Sequence, residues 1–379
     1  MLGDRTRIWA SLVLILTLAA CGRPPAPEHA ASPKPAARPA VYDAFYFGDG
    51  DSRKFGDNGD EAYRKTAAVC QAAKATSPPA SDAGPTDAAW LKDCDSINLY
   101  YGFGVPADPV KARQCAFHEL AQADRDGISL GMQGAGLLTM IYANGRGAPR
   151  NLDYAIHMAC RTPSAVAESE LRVEHLLRLK ASGAAEDFDY CTDVTSGFAA
   201  GECSSREARG ADGARDAKLA ALTKGWNGPE KAALMRLFKA QDAFIDARIE
   251  TEIDMSGTMR AVFANNAEAH VRDFTTRLLG DLAAGRGPVS GQADAAQADQ
   301  ALNVLYRTVR ASGAQDDPKR DIRPAQRAWL AYRDAWLDLV RVKWPGASAD
   351  GVLRAITEER TRQMRCDTSD SDANIAGDC

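Results

Sequence analysis

Ala325, Trp329, Tyr332, Trp336 and Leu339 recur at intervals of 4, 3, 4 and 3, which puts them on one face of a helix, while Arg327, Asp334, Asp338 and Arg341 fall largely outside that stripe. A helix packed through its aromatic face is the expectation. The same register occurs earlier in the chain. Ala240-Gln241-Asp242-Ala243-Phe244-Ile245-Asp246-Ala247-Arg248 reappears as Ala325-Gln326-Arg327-Ala328-Trp329-Leu330-Ala331-Tyr332-Arg333, keeping Ala, Gln, Ala and Arg in place. Upstream, Asp216-x-x-Leu219-x-x-Leu222 reappears as Asp299-x-x-Leu302-x-x-Leu305. Downstream, Phe274-Thr275-Thr276-Arg277-Leu278 corresponds to Thr357-Glu358-Glu359-Arg360 with a small gap. One three-helix unit is therefore present twice.

A shorter repeat precedes it. Leu99-Tyr100-Tyr101-Gly102-Phe103-Gly104-Val105-Pro106 is echoed at a constant offset of 43 by Ile141-Tyr142-Ala143-Asn144-Gly145-Arg146-Gly147-Ala148-Pro149, and both lead on to an alanine, Ala112 and Ala155. Helical patterns flank each copy: 90–100 and 109–123 around the first, 128–142 and 152–160 around the second. The glycines mark the joint of a helical hairpin, where a side chain would clash. A phosphate loop is excluded, because no strand precedes Gly-x-Gly and no Gly-Lys-Ser/Thr follows. A further helix is predicted over 60–74, and the Pro/Ser/Ala segment 75–86 reads as a linker. The expected fold is all-α: a short helical-hairpin solenoid over 45–187, then three-helix units over 188–284 and 285–379, the second ending in a disordered acidic tail.

The N-terminus changes the picture of where the chain works. Arg5 and Arg7 precede an apolar stretch, Ile8 to Leu18, too short to remain as a spanning helix, so 1–20 reads as an export signal. Leu18-Ala19-Ala20-Cys21 resembles the lipobox of bacterial lipoproteins, which implies lipidation of Cys21; the Pro/Ala-rich run through residue 44 is then a tether. Gly22 after the cysteine points to the periplasmic face of the outer membrane. The other eight cysteines are an even number in a chain sent to an oxidising compartment, and the short-range pairs Cys94 with Cys115 and Cys191 with Cys203 are the expected disulfides. A net charge of −5 argues against a global electrostatic grip on nucleic acid.

Two resemblances follow from these residues. The hairpin joints over about 88–162 resemble the Sel-type branch of the tetratricopeptide-like repeats, which implies protein–protein interaction. Asp299-x-x-Leu302-Asn303-x-x-Tyr306, Gln326-x-x-Trp329-x-x-Tyr332-Arg333-Asp334 and Thr357-x-x-Arg360 resemble the lysozyme-inhibitor LprI-like domain over 297–365, with a divergent earlier copy opening at Cys191 and Cys203. Both copies depart from that family's pattern four residues after the arginine, where Glu252 and Leu337 stand in place of a cysteine.

The resemblance implies binding, and inhibition of a cell-wall-active protein such as a lysozyme is the function it suggests; the alternative is a non-enzymatic envelope scaffold working through the solenoid. Asp299, Asn303, Gln326, Trp329, Tyr332, Arg333 and Asp334 are the candidate partner-binding or fold-fixing residues, with Asp299–Arg333 and Asp216–Arg248 expected as internal ion pairs. Residues 299–365 carry a net charge of +4, so long-range steering opposes binding to a basic lysozyme. None of the five histidines sits in a recognisable catalytic motif, and Cys115-x-x-His118 lacks a second ligand pair. No catalytic residue, metal or cofactor is expected.

Overall fold

The computed structural model describes residues 45–49, 61–82, 84–126, 131–311 and 321–368; the signal, Cys21 with its tether, and the acidic tail lie outside the described residues. Every regular element within them is helical, as the periodicities predict. The first part contains α1 (Glu61–Ala73), α2 (Ser96–Tyr101), α3 (Pro109–Asp126), α4 (Leu137–Asn144), α5 (Leu152–Cys160) and α6 (Val166–Ser182). The second contains α7 (Gly197–Thr223), α8 (Gly228–Thr251), α9 (Arg260–Ala283), α10 (Gln292–Ala311), α11 (Arg323–Lys343) and α12 (Ala349–Thr368).

The two Gly-x-Gly sequences are the same joint atom for atom. Asp108 N donates to Leu99 O at 2.8 Å, and 43 residues on, Asn151 N donates to Tyr142 O at 2.8 Å. Gly102 and Gly145 sit in the left-handed region (φ 83° and 68°), so their N–H groups turn back onto Asn98 O and Ile141 O and end α2 and α4. Gly147 passes so close to α3 that a Cβ there would overlap the Pro109 carbonyl. Ile97, Tyr100, Leu137, Leu138, Ile141, Tyr142, Tyr154, Ile156 and Leu176 from successive hairpins share one core.

Three local expectations are corrected. The helix expected over 90–100 is broken, because Asp95 accepts a hydrogen bond from Asn98 N at 2.8 Å and starts α2 afresh. The helix expected over 128–142 begins only at Leu137, since Gly131 and Gly134 adopt positive φ and the segment before α4 is irregular. Two acidic side chains hold that segment: Glu202 of α7 accepts from Met132 N at 2.9 Å and Glu119 of α3 from Gly134 N at 3.2 Å. The presumed linker 75–86 is in part packed, with Asp82 buried and accepting the Tyr142 hydroxyl at 2.7 Å.

Disulfides staple this part. Cys94–Cys115 joins the start of α2 to α3, Cys191–Cys203 joins the turn before α7 to α7, and Cys70–Cys160 ties α1 to α5 across 90 residues. α7 then bridges the two parts: it reaches the hairpins through Arg206 to the Tyr101 hydroxyl and Arg209 to Asp95, and it runs along α9 from Gly201 beside Ala261 to Arg215 at Asp273.

The duplicated units do not keep separate cores. Leu237, Phe244, Val271 and Leu279 of the first share a single apolar cluster with Leu302, Trp329, Trp336, Leu339 and Ile356 of the second. The middle helices α8 and α11 make the broadest pairing, flanked by α7 with α9 and by α10 with α12. α8 and α11 run antiparallel, as three contacts along their length require. Glu230 meets Lys343 at 3.0 Å at one end, Phe244 stacks on Tyr332 at 5.7 Å in the middle, and Gln326 and Glu252 meet at the same Arg360 at the other end. No helix among the described residues is long and apolar enough to cross a membrane.

Candidate functional site

α10 packs chiefly on α12 and α11 on α8, and an open groove of about 340 Å³ lies between α10 and α11. Four of the candidate residues line it: Asp299 and Asn303 from α10, Gln326 and Trp329 from α11. The 4-3 spacing explains this, since 299, 302, 303 and 306 share one face of α10, and 326, 329 and 330 share one face of α11. Asn303 Nδ2 donates to Asp299 Oδ2 at 2.8 Å, which orients the carboxylate along the groove wall. Leu302 and Trp329 form the buried floor, each about 1% exposed.

The other three candidates lie elsewhere. Tyr332 is buried in the shared core, its hydroxyl 2.7 Å from Thr275 Oγ1 of α9, and burial pushes its pKa up to about 12. Arg333 rests over the Trp329 ring at 5.5 Å and donates to Asp334, its neighbour in the chain, at 2.8 Å.

Both expected ion pairs are absent. Arg333 retains partial solvent contact and has a carboxylate next door, so no desolvation cost drives it toward Asp299. Arg248 is buried, but Asp216 is exposed on α7; Arg248 instead donates to Ala267 O at 3.1 Å and lies 3.5 Å from Glu252 one turn on. The buried ion pair that does form crosses between the units. Arg360 of α12, fully buried, donates through Nη1 to Glu252 Oε2 at 2.9 Å, through Nη2 to Glu252 Oε1, and through Nε to Gln326 Oε1 at 3.1 Å. Sequence reasoning missed Glu252 as a partner. Its available signal was an acidic residue one helical turn after the repeated arginine, in the position where the resembling family has a cysteine.

The network connects the groove to the core, because Gln326 lines the groove and accepts from Arg360 behind it. A second groove, about 550 Å³, lies between α10 and α12, and two of the arginines lining it are paired, Arg354 with Glu358 at 2.8 Å and Arg362 with Glu359 at 2.6 Å. Elsewhere, Cys94, Cys115 and Glu119 bring three potential metal-ligand atoms within 4.8 Å of one another, but the two sulfurs are bonded to each other. His175 Nδ1 lies 3.0 Å from Asp193 Oδ2 in a buried pair against Phe188, which fastens the turn at 190–193 to α6.

No curated protein and no solved structure matches the chain. Residues 290–366, which span α10, α11 and α12 and contain the whole groove, match the protein family described as lysozyme inhibitor LprI.

Proposed function

We propose that this protein is a lipid-anchored binding protein of the bacterial envelope that captures, and thereby inhibits, a cell-wall-active protein of the lysozyme class through the α10–α11 face. The observation that carries this reading is the coincidence of the family match over 290–366 with a groove lined by Asp299, Asn303, Gln326 and Trp329. Three features suit a binding surface: an apolar floor, polar side chains on both walls, and an α11 wall tied from behind through Gln326 to Arg360. In this reading Cys21 carries the lipid, the tether spans to the periplasmic face of the outer membrane, and the Sel-type hairpins hold the binding unit away from the lipid.

Clearance of cell-wall suspensions by a set of purified muramidases, with and without the full chain, tests the inhibition. Slowed clearance that is relieved by Asn303→Ala with Gln326→Ala is the expected result. No effect on any muramidase, together with capture of another envelope protein through 45–187, would establish the scaffold alternative instead. Labelled fatty acid entering the wild type and not Cys21→Ala tests the anchor.

A further inference from the structure

The cations of α11 and α12 are mostly neutralised locally. Arg333, Arg341, Lys343, Arg354, Arg360 and Arg362 each face a carboxylate within ion-pair distance. The end of the α10–α11 groove differs. Arg327 lines it and Arg310 lies over the Tyr306 ring at 5.7 Å, and neither has a carboxylate within ion-pair distance among the described residues. Arg323, on the same wall, is bound to Asp321 at 2.7 Å. Arg310 lies over the phenol ring and Arg323 and Arg327 line the recess beside it, and the carboxylates placed there among the described residues are Asp321, bound to Arg323, and Asp299, held by Asn303 further along the groove. The field is felt by the first of these: hydrogen bonds from Arg323, with a further contribution from the Arg310 charge, hold Asp321 down to about 2.

Unmatched arginines on a protein surface are ordinary when scattered. Here they are gathered around an apolar recess, beside Leu330 at 37% exposed, with Trp329 as its floor. Arginine presents a planar fork that fits a carboxylate through two parallel hydrogen bonds, and it stacks on aromatic faces without losing that capacity. A solvated aromatic flanked by such forks suits a chain segment that alternates acidic and apolar side chains.

We propose that the partner docks an acidic segment here, its carboxylates received by Arg310, Arg323 and Arg327 and its apolar side chains set against Tyr306 and Leu330. This rests on the protein-binding reading above and narrows it: the partner presents an acidic surface, in contrast to a basic lysozyme. Like charge would otherwise slow encounter, because the net charge of 299–365 is +4.

The test uses the full chain and a fluorescein-labelled twelve-residue peptide of alternating Glu and Leu, its Lys and Leu counterpart, and inorganic polyphosphate, read by anisotropy. The Glu peptide is expected to bind and the Lys peptide not. Arg310→Glu with Arg327→Glu is expected to weaken binding on the order of tenfold at low salt, and raising ionic strength should shrink the difference. Arg341→Glu, a reversal at an exposed site outside the groove, is expected to leave binding unchanged, and thermal unfolding of each variant checks that the fold is kept. Equal binding of both peptides, or unchanged binding in the double reversal, overturns the proposal; so does polyphosphate binding more tightly at the same residues, which would assign the site to a phosphate anion. The two readings fail separately. Inhibition of a basic muramidase that survives the double reversal keeps the function and removes the acidic partner. Peptide binding lost on reversal, in a chain that inhibits no muramidase, keeps the groove and removes the function.

Discussion

Removing the carboxylate of Glu252 should damage the fold more than removing the guanidinium of Arg360. The two side chains are 2% and 0% exposed, so either one left behind is a charge in a low-dielectric interior. Breaking a buried pair from one side costs about 3 to 5 kcal/mol. Arg360→Met leaves Glu252 with Arg248 still 3.5 Å away, which compensates in part and puts the loss near the lower bound, about 3 kcal/mol. Glu252→Leu takes the shared carboxylate from Arg248 and Arg360 together and should reach the upper bound, about 5 kcal/mol. The double variant should cost less than the sum of the singles, with a coupling of about 2 kcal/mol. Urea unfolding followed by tryptophan fluorescence measures all three. Because the pair joins α8 of one unit to α12 of the other, the loss should appear as one transition moving to lower urea with its slope kept. A cost below about 1 kcal/mol for Arg360→Met, or singles that simply add, would refute a shared buried network.

Glu202 gives a pH signature: desolvation, reinforced by the charge of Glu168, pushes its pKa up to about 7, against the Met132 N–H bond that lowers it. With the folded pKa raised, stability is greatest below the ordinary value of 4.5 and declines as pH rises toward 7. Glu202→Gln should therefore stabilise the protein at pH 8 by about 1 to 2 kcal/mol, discounted for partial exposure, and not at pH 4, as thermal melts at the two pH values will read. The hairpin joints predict a contrast between two glycines: Gly104→Ala (φ 68°, open space around it) should cost about 1 kcal/mol, and Gly147→Ala (φ 99°, against the Pro109 carbonyl) several times that by chemical denaturation. Equal losses at the two sites would refute the close approach.

The hairpin joints were legible in the sequence because their cause is local. A glycine at the end of a helical pattern needs only its own neighbours to specify a reversal, and the repeat at 43 residues fixed which two reversals were equivalent. The stripe from Ala325 to Leu339 was legible for the same reason, and all five of its members, Ala325, Trp329, Tyr332, Trp336 and Leu339, are buried. The charged partners were not. A duplicated unit suggests that each copy pairs its own Asp with its own Arg, but the copies interleave, and the carboxylate serving Arg360 lies 108 residues upstream in the other copy. The irregular segment before α4 escaped for a related reason: its supports, Glu119 and Glu202, come from two other helices. The groove itself was half legible. Four of its lining residues, Asp299, Asn303, Gln326 and Trp329, stood in the family-resembling motif, while Arg310 and Arg327 at its end carry no motif and become informative only when no carboxylate is found beside them among the described residues.

The interleaving bears on what the matched segment can do alone. Residues 290–366 contain Arg360 but not Glu252, Tyr332 but neither Thr275 nor Phe244, and Trp344 but not Trp226, which meets it edge to face at 5.5 Å. The fragment 285–379 would therefore present the α8-facing side of α11 to water and leave Arg360 without its carboxylate. Uncovering side chains the size of Phe, Met or Leu costs about 1.5 to 3 kcal/mol each, and a loss of several such burials approaches the whole stability of a small domain. The nearest substitute for α8 is the α11 of a second fragment, since the two helices descend from one repeated pattern. The fragment should self-associate, bind a hydrophobic dye, and recover a monomeric complex when 188–284 is added, as sedimentation and dye fluorescence will report. A monomeric fragment that unfolds at the same midpoint as the full chain would show instead that the second unit holds its own core, and that the cross-unit contacts of Arg360, Tyr332 and Trp344 add little to it.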